Sequence, residues 1–114
     1  MPSHRQDRLN SDFRREISAI LGEMKDPRLD TLLSVTRVDV TSDLSYAKVY
    51  IGSLSGAAQA TEACAVLKKA AGHVRSELAK VLRIRKIPEL IFIPDDSVDY
   101  YNRINTILEG LKND

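Results

Sequence analysis

Apolar residues recur along this chain with two different periods, and the switches between those periods mark out the elements. From about Arg5 to Met24, Leu9, Phe13, Ile17, Ile20, Leu21 and Met24 fall at helical spacing, which predicts an amphipathic helix with one face on a core. Pro27 stops it, because its ring pushes Asp26 out of the α region. Leu33 to Thr41 and Tyr46 to Ile51 are rich in β-branched residues on either side of Thr41-Ser42-Asp43-Leu44-Ser45, which predicts a β-hairpin. The second strand alternates cleanly, Ala47, Val49 and Ile51 on one face and Tyr46, Lys48 and Tyr50 on the other. In the first strand Leu33 and Val35 have odd parity but Val38 and Val40 even, so a bulge near Thr36-Arg37 is expected, unless the strand starts later.

The flexible stretch Gly52-Ser53-Leu54-Ser55-Gly56 leads into a second helical region, with Ser55 or Gly56 as its cap. On one wheel at about 100° per residue, Ala63, Val66, Leu67, Ala70, Val74, Leu78 and Val81 share an arc. Lys68, Lys69, Arg75, Lys80 and Arg83 fall opposite. Ala70-Ala71-Gly72 removes bulk midway, and a helical Gly costs about 1 kcal/mol relative to Ala, so a kink or a close backbone approach is expected at this small-residue joint. Pro88 to Pro94 is apolar at nearly every position, as in an inner strand covered by helices. Two helices between the second and third strands imply a right-handed crossover and one parallel pairing, hence a mixed sheet. Val98, Tyr101, Ile104, Leu108 and Leu111 then trace a C-terminal helix over residues 96–111.

At 114 residues the chain is expected to be one domain, 1–114, burying roughly 65% of its unfolded surface. Residues 1–4 are expected to be mobile. Cys64 is the single cysteine, so no intrachain disulfide can form, and it reads as a small buried residue. No apolar run is long enough to span a membrane and Met1-Pro2-Ser3-His4-Arg5 leads into no apolar segment, so a cytoplasmic protein is expected.

Charge changes the picture more than composition does. The net charge is only +1, yet from Lys68 to Lys86 seven Lys or Arg face one acid, Glu77, and the late acids Asp95, Asp96, Asp99, Glu109 and Asp114 lie beyond the third strand. Capping of the last helix explains Asp95, Asp96 and Asp99 better than a Mg²⁺ site does, and no metal or cofactor is expected. Tyr46, Lys48 and Tyr50 could stack on single-stranded nucleic acid, although tyrosines on a sheet face commonly serve structure alone. Arg8 and Arg15 could extend a basic surface or simply be solvated. No Gly-rich phosphate loop, Cys/His cluster or nucleophile elbow is present, so no catalytic residue is assigned and an enzyme is not expected.

The order helix, hairpin, two helices with a joint, strand resembles a type II KH-like fold, an α+β class with a three-stranded mixed sheet. Three strings sharpen the likeness: Lys25-Asp26-Pro27-Arg28-Leu29, Asp43-Leu44-Ser45-Tyr46-Ala47-Lys48-Val49-Tyr50, and Ile84-Arg85-Lys86-Ile87-Pro88-Glu89-Leu90-Ile91-Phe92. Together they are similar to the bacterial ribosome-binding factor A family over about Arg5 to Leu111. Ordinary KH domains clamp nucleotides with a GxxG loop, absent here; the family has an Ala-x-Gly kink instead, which Ala70, Ala71 and Gly72 match. The resemblance implies an assembly factor that binds the small ribosomal subunit and its ribosomal RNA in late maturation and processing, with importance in the cold.

Arg75, Lys80, Arg83 and Arg85 are the first candidates for RNA phosphates, then Lys68, Lys69, Lys86 and Arg8. Other assembly factors are further candidate partners, no membrane is involved, and a monomer is expected. The competing reading is a basic protein-interaction module docking an acidic partner.

Overall fold

The computed structural model describes residues 4–29, 32–95 and 107–111. Helix α1 (His4–Glu23) is followed by strands β1 (Leu33–Val40) and β2 (Tyr46–Ser53), helices α2 (Ala57–Lys69) and α3 (Ala71–Val81), and strand β3 (Glu89–Pro94). The sheet runs β1-β2-β3, antiparallel across the hairpin and parallel between β2 and β3. The fold is therefore α+β with the mixed sheet that the crossover implied.

The inward row of β2, Ala47, Val49 and Ile51, is fully buried. It meets Phe13 and Ile17 from α1, Ala63, Cys64 and Leu67 from α2, and Val74 and Leu78 from α3 in one core. The register of β1 on β2 shifts between Val35 and Arg37, and this bulge lets Val35, Val38 and Val40 all face inward despite their mixed parity. Burial pushes the Cys64 thiol up to about 11, so it stays protonated and packs as an apolar group.

Helix α1 also closes the free side of β1. The Gln6 amide donates to the Val40 carbonyl, and the Val40 N–H donates to Asn10 Oδ1 at 2.9 Å. Gln6 and Asn10 lie one turn apart, so a single helix face satisfies both backbone groups of one edge residue. In the hairpin, Thr41 Oγ1 donates to Asp43 and accepts from the N–H groups of Ser45 and Tyr46. That web holds Leu44 in the left-handed region at φ 59°, and the same hydrogen bonds pull the Asp43 carboxyl below its usual range.

Several expectations need correction. Strand β3 is an edge strand, not an inner one, and only Leu90 in it is buried; β2 takes the centre, so β3 spends its apolar run half-buried against α2. Val81 is 53% exposed, because one helical wheel cannot be carried across a broken helix. The break does fall within the expected Ala70-Ala71-Gly72 joint, on Ala70, at φ −96° and ψ 8°, which ends α2 and starts α3. A Cβ added at Gly72 would meet nothing within 4 Å, so neither a bend nor a close approach within the protein requires glycine there. His4, expected in a mobile terminus, is the first residue of α1. Residues 107–111 of the expected C-terminal helix are helical, while 1–3 and 96–106 lie outside the described residues.

Phe13 is fully buried at the contact of α1 with the sheet, so Phe13→Ala should cost about 3–5 kcal/mol in urea unfolding. The Asp26 carboxylate accepts from the backbone and side chain of Arg28, which holds its pKa at about 2, below the ordinary 3.8. A lowered folded pKa gives stability that is present above the unfolded value and lost as pH falls through the folded one. Asp26→Asn should therefore lower the unfolding midpoint at neutral pH, with the gap to wild type closing between pH 4 and pH 2.

Candidate nucleic-acid interface

The break at Ala70 swings α3 away from α2 and leaves a concave angle facing the start of the β2–β3 pair. Ala70 N–H still reaches the carbonyls of Val66 and Leu67, and its own carbonyl accepts from Val74, so the ladder bends with few groups left open. Across the angle, the parallel register sets Tyr46 beside Glu89, and Glu89 N–H donates to the Ser45 carbonyl at 3.0 Å. The result is a cleft of about 790 Å³. Lys68, Ala71, Gly72 and Arg75 form its helical wall, and Ser45, Tyr46, Lys86, Glu89, Ile91 and Phe92 line the strand side.

Arg75 ties the walls together. Its Nε donates to the Pro88 carbonyl at 3.1 Å and a terminal nitrogen donates to the Ile87 carbonyl at 2.9 Å. Those carbonyls precede β3 and would otherwise lack a partner in the ladder. A guanidinium can fork onto two acceptors and keep its charge, which an ammonium cannot do in the same geometry. Arg75 is thus a brace as well as a cation. On the same wall, one turn before Arg75, the missing side chain of Gly72 keeps the wall low, since the space where a Cβ would stand is open.

Of the sequence candidates, the cleft gathers Lys68, Arg75 and Lys86 with Ala71 and Gly72. Lys69, Arg83 and Arg85 are exposed but do not line it, and Arg8 is exposed on α1. Lys80 pairs with Glu77 at 3.0 Å; the lysine is 67% exposed, so the pair is weak and exchangeable. Ser45, Glu89, Ile91 and Phe92 were not foreseen as lining residues. They arrive through the β2–β3 register, which a strand pattern does not reveal, and Glu89 puts one acid among the three cations. The arrangement offers fixed and mobile N–H donors to an anion, beside apolar side chains. Among the described residues no group of His, Cys, Asp and Glu is placed to hold a metal ion, and no helix is long and apolar enough to cross a membrane.

Known proteins share this architecture. The pattern of the family described as ribosome-binding factor A matches residues 5–108. A ribosome-binding factor A from Dehalococcoides mccartyi is 46% identical over 108 residues, covering 94% of this chain and 92% of the relative. The crystal structure of ribosome-binding factor A from Thermus thermophilus superposes with a TM-score of 0.70 at 28% identity, over 78% of this chain and 93% of that one. Coordinates of the Thermus thermophilus factor fitted as a homology model into the cryo-EM map of a 30S complex give 0.64 at 28% identity, over 75% and 90%. With that pattern running almost from end to end, and a relative this similar over nearly all of both chains, the chain belongs to the ribosome-binding factor A family.

Proposed function

We propose that this protein binds the small ribosomal subunit through ribosomal RNA, seating the RNA backbone in the cleft between the broken helix and β3. The observation that carries the reading is the convergence of Lys68, Arg75 and Lys86 on a cleft whose wall is lowered at Gly72. Phosphates are the ligands that such a set rewards, because each neutralised phosphate releases condensed counterions. Lys80, Arg83, Arg85, Lys69 and Arg8, exposed outside the cleft, add to the long-range steering field. The Thermus thermophilus relative, fitted in a 30S complex, supports the small subunit as the particle.

In this reading the protein acts in the cytoplasm as a monomer, during late maturation, and it acts by binding alone. Favouring one RNA conformation over another requires only different affinity for the two. Other assembly factors join as neighbours on the same particle. The competing reading, an acidic protein partner on the same cations, is separated by whether free RNA displaces the partner.

Two measurements bear on this. Wild type should pellet with purified small subunits and not with large ones, and Lys68→Glu/Lys86→Glu should abolish this while leaving thermal unfolding unchanged. Across a salt series, each lost phosphate contact should flatten the log–log slope by about 0.7 to 0.9. Arg75→Lys keeps the charge but loses the fork onto Ile87 and Pro88, and should give up most of the affinity that Arg75→Met gives up. Full affinity in Arg75→Lys would mean that charge alone matters at that position.

A further inference from the structure

The sheet has a second face, turned away from the helices, of which only the Tyr46, Glu89 and Ile91 corner borders the cleft. Along β2, Tyr46 is 46% exposed, Lys48 is exposed and Tyr50 is half-buried. Arg37 of β1 stands opposite Tyr50 in the register and lays its guanidinium over the ring, 4.2 Å from the centroid. The arginine side chain is still 62% exposed, so the outer plane of the guanidinium faces solvent. Ile91 of β3, opposite Lys48, is 38% exposed. No element among the described residues covers this row.

Charge decides what such a face can hold. Arg37 is paired with Asp39 at 3.1 Å and also lies within the field of Asp95, and Glu89 stands beside Tyr46, so the positive charges of Arg37 and Lys48 are fully matched by acids. A balanced face gives little to a duplex, which presents phosphates outward. It suits unpaired bases, which stack on aromatic rings and on guanidinium planes. Tyr46 and the Arg37–Tyr50 pair offer two such planes, about 13 Å apart along β2, with Lys48 between them to meet a phosphate. The face is also continuous with the cleft, because Tyr46 and Ile91 belong to both. As β3 is an edge strand, an RNA strand leaving the cleft can pass over it onto this face.

We propose that the uncovered sheet face is a second RNA-binding surface, which takes a single-stranded segment by stacking bases on Tyr46 and on the Arg37–Tyr50 pair. This rests on the RNA reading of the cleft, and the experiment separates the two. Fluorescence anisotropy would follow a labelled single-stranded RNA of about 12 nucleotides, within the span of about 4 to 16 that stacking platforms cover, and a duplex of the same sequence. Arg37→Ser/Tyr50→Leu, at two residues that do not line the cleft, should weaken single-strand binding by about 10-fold or more, and weaken duplex binding much less. Tyr50→Phe, which keeps the ring under Arg37, should bind the single strand within about twofold of wild type, and this variant guards against a loss that merely reports misfolding. If Arg37→Ser/Tyr50→Leu binds the single strand like wild type while Lys68→Glu/Lys86→Glu does not, the cleft stands and the platform falls. Equal losses on single strand and duplex overturn stacking as the cause. If wild type binds neither RNA, both the platform and the cleft reading fail.

Discussion

Everything in this protein depends on β2 having partners on both sides and a buried inward row. Ala47, Val49 and Ile51 cannot leave the core without exposing the residues packed on them, and a one-residue slip would turn that entire row outward. The register is therefore fixed by burial. The same register that buries Val49 puts Tyr46 beside Glu89 and Lys48 beside Ile91. Core packing thus determines which polar side chains meet at the rim, and the binding surface inherits its geometry from apolar contacts that no RNA touches.

The helical wall shows a different division of labour. The bend comes from the backbone at Ala70, the opening from Gly72, and the spacing of the two walls from Arg75 and the carbonyls of Ile87 and Pro88. An Arg that spends part of its donor set on the protein is better placed than a free one, because less side-chain entropy remains to be lost on binding. The flexible Lys68 and Lys86 then adapt to the phosphates that the fixed charge draws in.

Elements with a strong local signal were legible from the residues. Helical spacing from Leu9 to Met24 gave α1 to within a residue at each end, and the parity switch between Val35 and Val38 located the bulge. What stayed hidden has a common cause: it depends on partners distant in the chain. The apolar run Leu90-Ile91-Phe92-Ile93 looks the same in a central or an edge strand, and only the strand count decides. Arg75 reads as a phosphate-binding cation, and its role as a brace shows only once the loop before β3 is folded against it. Gly72, which propensity marks as the weak point of the helix, is not where the helix breaks, because a single Ala in the bridge region suffices.

The parallel pairing has one further result, and it concerns time. The hairpin closes over a five-residue turn, whereas β3 pairs with β2 across the whole segment that carries both helices. Contacts so far apart in the chain are the slow ones to form, because the loop they close must be ordered first. The cleft therefore rests on the most distant strand pairing in the sheet. A partly folded or partly synthesised chain carries the same lysines and arginines in an ungathered form, and the completed strand pair is what turns a basic segment into a binding site.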